Sequence, residues 1–380
     1  MKKFTLLLLT WLLTVTALHA TIRRVGYSAP VNPVTNLDFL NFQAAHDASS
    51  NNDTIQLYAS PIGSVIYTGT ITKPLIIMGP GYFTNSYYLT GTESANTGLQ
   101  NMAGSMTSCT FTIDLGSAGT ILMGLNNVTI KTIDRVEALN NIIVNRCRNV
   151  NVSFTNSGNC NNWTIAQCYG VTISQSGFSP SFILDRSIDN LSIQNCVIAS
   201  GINLNTSPGG GAYTGNSIYN SIFLTGGSLS LSGAFFTIQN CIFEVQTFTA
   251  VTNAIYKNNV TAVIAGSGNV ITNTGSNSGN IFGATLSNVF VGYPTNALVG
   301  GVNQFSPDGR LQLKTGTNPA IGGGLVPGTT TVTNCGIYGG LNTYILSGIP
   351  PVPVVYQLGA ASTVTSGSNY TLTFSIKSNN

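Results

Sequence analysis

The 380-residue sequence carries 14 Lys and Arg against 11 Asp and Glu, a formal net charge of +3, and only 7 % of its residues are charged. Ordinary globular domains carry about a quarter, so the surface must be built from Asn, Ser, Thr and Gly. So weak a field excludes electrostatic capture of nucleic acid or of an acidic membrane.

At the N-terminus, Lys2 and Lys3 precede an almost wholly apolar run from Phe4 to Ala17. That run is too short to span a bilayer comfortably and reads as a secretory signal, cleaved after Ala17 or Ala20, so residues 1–20 are expected to be absent from the mature chain. Removing the two lysines takes the basic count from 14 to 12 against 11 acidic residues, a net charge near +1. No later apolar run has spanning length, and the first cysteine, Cys109, lies far from any lipidation site. The expected location is secreted or cell-surface.

Residues 21–52 hold an N-terminal segment and the one convincing helix. Leu37, Leu40, Phe42, Ala44, Ala45 and Ala48 can line one face of a helix over 37–50, with Asn36 as N-cap. The stretches DTIQLY (53–58), IYTGTIT (66–72) and PLIIMGPGYF (74–83) follow as strands broken by Gly and Pro.

From there to 304 a repeat takes over: an isoleucine, one residue, an Asn or Gln, then often a cysteine or small residue. It reads IVNRC (143–147), IAQC (165–168), IQNC (193–196), IYNS (218–221), IQNC (238–241) and, degenerately, IYKN (255–258), preceded by Ile121. The isoleucines recur every 17 to 28 residues, about 22 on average. A second apolar line of Val128, Val150, Val171 and Val245 follows 6 or 7 residues behind. Short strands such as VTIKTI and VNVSF at this period, without helices between them, cannot make βαβ units. Coiling lets each strand pair with its equivalent one turn later. The expected fold is all-β: a parallel β-helix over 53–304, with the helix closing its open N-terminal end.

Stacking predicts columns. Asn145, Gln167, Asn195, Asn220 and Asn240 are expected to form an amide ladder, and Ile121, Ile143, Ile165, Ile193, Ile218, Ile238 and Ile255 an inward aliphatic stack. Seven cysteines in an exported chain suggest disulfides. Their position in the repeat instead favours stacked thiols acting as small hydrophobes, with Cys147–Cys168 as the bridge to test first otherwise. Residues 305–380 turn rich in Gly and Pro and read as a C-terminal β cap or, alternatively, as an export or surface-sorting tail.

A helix ending in AAHDASS, then NDTIQLY, then TITKPLIIMGPGY, resembles the opening of secreted right-handed parallel β-helix proteins of the pectate-lyase-like class, over roughly residues 37–300. The tail resembles those of uncharacterised β-helix proteins of Bacteroidetes-like bacteria. The resemblance implies a right-handed β-helix, while members of the class range from polysaccharide lyases to adhesins. The lyases hold Ca2+ on clustered carboxylates beside an Arg or Lys base. Candidates for that chemistry are Asp134, Arg135 and Glu137 in TIDRVE, Arg146 and Arg148 in NRCRN, and Asp185, Arg186 and Asp189 in LDRSID. They are read either as one gathered site or as ion-paired turn residues.

No adjacent Asp pair supports a glycosidase of the polygalacturonase type. His46, on the helix, is expected to be structural or solvent-facing, and Trp163 to be core. Tyr58, Tyr67, Tyr82, Phe83, Tyr87 and Tyr88 could stack on sugars but read mainly as packing. Gly209–Gly211 and Gly322–Gly324 lack the Lys and helix of a phosphate loop and read as turns. The leading expectation is a non-catalytic, monomeric, exported protein that binds polysaccharide or cell-surface glycan, or serves as an adhesive or structural spacer, without a cofactor. The alternative is a lyase for acidic polysaccharide with Ca2+. Ice or mineral binding would need a flat Thr array, and the Thr positions keep no single register in the sequence.

Overall fold

The computed structural model describes residues 20–26, 38–59, 66–83, 108–155, 158–175, 187–204, 213–245, 247–249, 251, 253–264, 271–293, 306–351, 354–360 and 372–377. These residues are mostly β, with long parallel sheets and few helices, an architecture compatible with a parallel β-helix.

The chain alternates between two sheets, so that each strand's partner is its counterpart one turn later. After Ile121–Met123 in an eleven-stranded sheet it enters Asn126–Thr132 in an eight-stranded sheet, then returns at Ile143–Asn145 and leaves again at Arg148–Phe154. From Ser192 onward a four-stranded sheet is inserted between them: Val197–Ile198, Ile222–Phe223, Ile242–Phe243 and Val260–Thr261.

Side chains alternate across each strand, and the inward ones make continuous columns. In the first sheet, adjoining partners run Ile55, Ile77, Leu122, Val144, Ile165, Ile193, Ile218, Ile238 and Tyr256, with every member buried. In the second they run Phe111, Ile130, Val152, Ile173, Ile202, Leu229 and Phe248. Full burial of one such side chain contributes roughly 1.5–3 kcal/mol.

The expected isoleucine stack therefore holds for Ile165, Ile193, Ile218 and Ile238 and slips by one residue elsewhere. Ile121 and Ile143 pair with each other and then with Thr164 on the outward face, and Ile255 pairs with Thr237 there. Leu122, Val144 and Tyr256 take the inward places, and a one-residue slip flips a whole strand between faces.

The helix is shorter than expected, Phe42–Ala48. Asn41 is its N-cap, accepting from Ala44 N at 2.8 Å, while Asp38–Phe39 is extended and pairs with Arg24–Val25. It lies against the edge strand Ile66–Ile71, where a Cβ on Gly69 would stand 2.4 Å from Phe42 Cδ1. His46 is buried: its Nε2 accepts from Thr72 N at 3.1 Å and its Nδ1 lies 3.0 Å from Asp47 Oδ1, which ties the helix to that strand. Trp163 is buried and donates to Leu139 O at 2.7 Å.

Candidate functional site

The charged residues singled out in the sequence do not gather among the described residues. Asp134 and Glu137 are exposed in the bend after Asn126–Thr132, and Arg135 ion-pairs with Asp114 at 2.5 Å. Arg148 starts the neighbouring strand Arg148–Phe154, at the opposite end of a seven-residue sheet width of roughly 20 Å. Its guanidinium lies 4.5 Å over the Phe83 ring, with Nη1 donating to Asn126 Oδ1 at 3.4 Å. Asp189 accepts from Thr214 N at 2.5 Å and Thr214 Oγ1 at 3.1 Å. Asp185 and Arg186 lie outside the described residues, as do Tyr87 and Tyr88. No group of three or more His, Cys, Asp or Glu among the described residues could hold a metal ion.

Arg146 belongs to a different construction at the corner where the chain leaves the first sheet. From Gly124 on, each turn there carries a residue of positive φ: Gly124, Arg146, Gln167, Asn195, Asn220, Asn240 and Asn258, between 49° and 65°. Asn tolerates this left-handed region better than most residues. Arg146, not Asn145, thus occupies the column, and Asn145 faces outward beside Met123 and Ala166.

These side chains make two bonds along the column, Arg146 Nε to Gln167 Oε1 at 2.9 Å and Asn240 Nδ2 to Asn220 Oδ1 at 3.4 Å. Their other donors reach to carbonyls of a C-terminal strap, residues 324–350, which runs back along the flank. Asn240 donates to Leu325 O (2.8 Å), Asn220 to Asn334 O (3.1 Å), Asn195 to Ile337 O and Gly339 O (both 2.8 Å), Gln167 to Thr343 O (2.8 Å), and Arg146 to Ile349 O (2.9 Å). Burial lowers the Arg146 pKa from its ordinary value.

Beneath the strap, the outward Val197, Ile222, Ile242 and Val260 join Leu311, Cys335, Ile337 and Tyr344 in a second apolar cluster. Asp308 anchors its end. Fully buried, it accepts from Ser347 N at 2.6 Å and Tyr344 OH at 3.3 Å, and Tyr344 meets Tyr82 OH at 2.6 Å.

Amide ladders of the expected kind occur elsewhere. Asn162 donates to Asn141 and Asn190 to Asn162 (3.1 and 3.0 Å), where the chain approaches the first sheet, and Asn149 donates to Asn127 at 2.7 Å. Each stops where glycine takes over the positive φ: a Cβ on Gly215 would lie 2.2 Å from Asn190 Oδ1, and one on Gly170 2.8 Å from Asn149 Oδ1.

All seven cysteines are buried thiols outside any disulfide. Leu125 follows the positive-φ Gly124, and from the next turn on Cys147, Cys168, Cys196, Ser221, Cys241, Asn259 and Asn280 take the equivalent place with short side chains able both to donate and to accept. Cys196 N donates to Ser221 Oγ and Cys241 N to Asn259 Oδ1, while the Cys168 thiol turns to Val144 O and the Asn259 amide to Ile238 O. Burial pushes the Cys109 and Cys168 thiols well above their ordinary value and Cys335 up to about 12. Cys109, Cys168 and Cys335 are therefore held as thiols, the unreactive form.

Two outward sheet faces remain: that of the first sheet, with Thr164, Ser192, Ser217 and Thr237 in one rank, and the broader one of the eight-stranded sheet. On the latter, one rank runs Thr68, Thr110, Thr129, Asn151 and Thr172, and beyond it Gly201 faces Ser228. A parallel rank runs Thr70, Thr112, Lys131, Ser153 and Ser174, with Asn203 facing Ser230. Every member is half-buried or exposed, whereas the residues between them are mostly buried. Thr68, Thr110, Thr129 and Thr172 thus share one register after all, interrupted by Asn151. Variable loop lengths between strands hide this in the sequence. Tyr67, Tyr82 and Phe83, by contrast, are buried packing residues.

No family model matches the chain, and a search of curated proteins finds no match either.

Proposed function

We propose that the chain is a right-handed parallel β-helix, exported to the medium or the cell surface, that binds glycan without catalysis and acts as an adhesive or structural element. On this reading the helix Phe42–Ala48 closes the N-terminal end of the winding, and the antiparallel pair Val354–Ala360 and Leu372–Lys377 supplies the C-terminal β cap. The observation that carries the reading is the pair of hydroxyl and amide ranks on the second sheet, an extended uncharged donor and acceptor surface on a rigid support. The placement of Arg135, Arg146 and Arg148 supports it too. One is ion-paired, one holds the strap and one is stacked on Phe83, so a uronate-neutralising cluster would have to be assembled without them.

The test is a glycan panel read by binding, run beside uronate polysaccharides with and without Ca2+. Retention of glycan without unsaturated product supports the reading. Appearance of unsaturated product, lost in an Asp189→Ala variant, overturns it in favour of the lyase.

A further inference from the structure

The geometry points to a ligand class for the second-sheet face: uncharged polysaccharide in packed, insoluble form, an inference that rests on the glycan-binding reading above and narrows it.

The first argument is repetition. Adjacent strands of a parallel sheet lie about 4.8 Å apart and alternate residues of one strand about 6.6 Å apart, so Thr110, Thr129, Asn151 and Thr172 with Thr112, Lys131, Ser153 and Ser174 form a two-dimensional grid. The buried columns behind them, Phe111 to Ile173 among them, fix its spacing. A ligand collects many contacts from such a grid only if it repeats as well.

The second argument is the weakness of each contact. A soluble oligosaccharide is gripped by aromatic rings stacked on its apolar faces, and neither rank contains one. A net hydrogen bond between neutral groups is weak, and immobilising a small free ligand costs more than a few such bonds return. Chains already packed into a solid have lost that freedom, so the same bonds suffice.

The third argument is charge. Lys131 is the single ionic residue of the two ranks, so the face complements a neutral surface rather than an acidic one. Ice is another neutral ordered surface. Here the long Lys131 and the exposed Asn151 and Asn203 stand among shorter Thr and Ser, breaking the level plane an ice lattice requires while extending donors that suit sugar hydroxyls.

The full mature chain is tested for co-sedimentation with microcrystalline cellulose and chitin particles. Soluble oligosaccharides of the same two glycans serve as competitors, and ice recrystallisation is scored in parallel. The variant Thr129→Glu/Thr172→Glu is compared with Thr164→Glu/Thr237→Glu, which places the same charges on the outward face of the first sheet. Thermal melts establish that both variants fold.

The expected result is binding to at least one particle, weakened tenfold or more in the first variant, changed less than twofold in the second, and not competed by millimolar oligosaccharide. Equal or tighter binding of soluble glycan overturns the inference but leaves glycan binding standing. Loss of binding to every glycan, soluble and insoluble, overturns both. Inhibition of ice growth that disappears only in the first variant, without particle binding, assigns the face to ice and overturns the inference.

Discussion

Two polar arrays on this chain arise from the same stacking of successive turns and end in opposite states. At the corner after the first sheet, Arg146, Gln167, Asn195, Asn220 and Asn240 are turned onto the carbonyls of the strap. On the second sheet, Thr110, Thr129, Asn151 and Thr172 stay half-buried or exposed. The first array is dictated by backbone geometry, because a positive φ is required once per turn and a polar side chain placed there must find a partner. The second is not required by the fold, since any residue tolerant of a pleated, half-solvated surface serves on an outward strand position. Polar residues in register are therefore informative about ligands only where the backbone does not already demand them.

Alkali is the harshest way to break the packed interior, the covered corner included. Burial raises the Cys168, Tyr82 and Tyr344 pKa values well above 9 or 10, and those of Cys335 and Tyr67 to about 12. A folded-state pKa raised above the unfolded one gives stability that is complete below the unfolded value and lost as pH climbs toward the folded one. Urea midpoints should hold steady up to about pH 9 and fall steeply from there toward pH 12. A midpoint unchanged at pH 11 would contradict the buried, protonated state of these groups. In the same fold a thiol reagent should label none of the seven cysteines before denaturant is added.

Replacement of single corner residues sharpens the contrast. Asn195→Leu leaves the Ile337 and Gly339 carbonyls without their donor and forces a branched side chain to φ 52°, and should cost about 4 kcal/mol in chemical denaturation. Asn195→Gly keeps the backbone relaxed and should cost only about half as much, so equal losses for the two would remove the conformational part of the account. Gly215→Ala brings a methyl against Asn190 Oδ1 at φ 70°, and a loss of about 2 kcal/mol is expected. Smallest of all, Thr129→Glu/Thr172→Glu on the open sheet should shift stability by no more than about 1 kcal/mol for the two sites together.

Much of the architecture was readable in advance. The recurrence of Ile, Asn and Cys located the first-sheet strands from Thr164 to Gln239, and Trp163 and the buried thiols fell where the apolar pattern put them. The slip at Ile121, Ile143 and Ile255 has a simple cause: their neighbours Leu122, Val144 and Tyr256 are equally apolar, so the sequence offers two registers and only strand pairing chooses. Arg146 was hidden because its role in the column is a backbone angle, which Arg does not advertise. The strap was invisible for another reason. It is held through the backbone carbonyls of Leu325, Asn334, Ile337, Gly339, Thr343 and Ile349, and carbonyls leave no residue pattern. The Thr ranks are illegible in the sequence because Lys131 and Asn151 interrupt them and the loops between strands vary in length.

The strap also changes how such a chain can come apart or be made. A repeat array held only by neighbouring turns can fray from one end, each repeat leaving independently. Here Arg146 meets a carbonyl 203 positions away and Tyr82 a hydroxyl 262 positions away, so pulling on the N-terminal turns loads the C-terminal third at once. Ribosomal synthesis delivers that third last. The corner amides of a nascent chain must wait for it, and a late, slow step, visible as a lag between strand formation and acquisition of full protease resistance, is the expected signature of maturation.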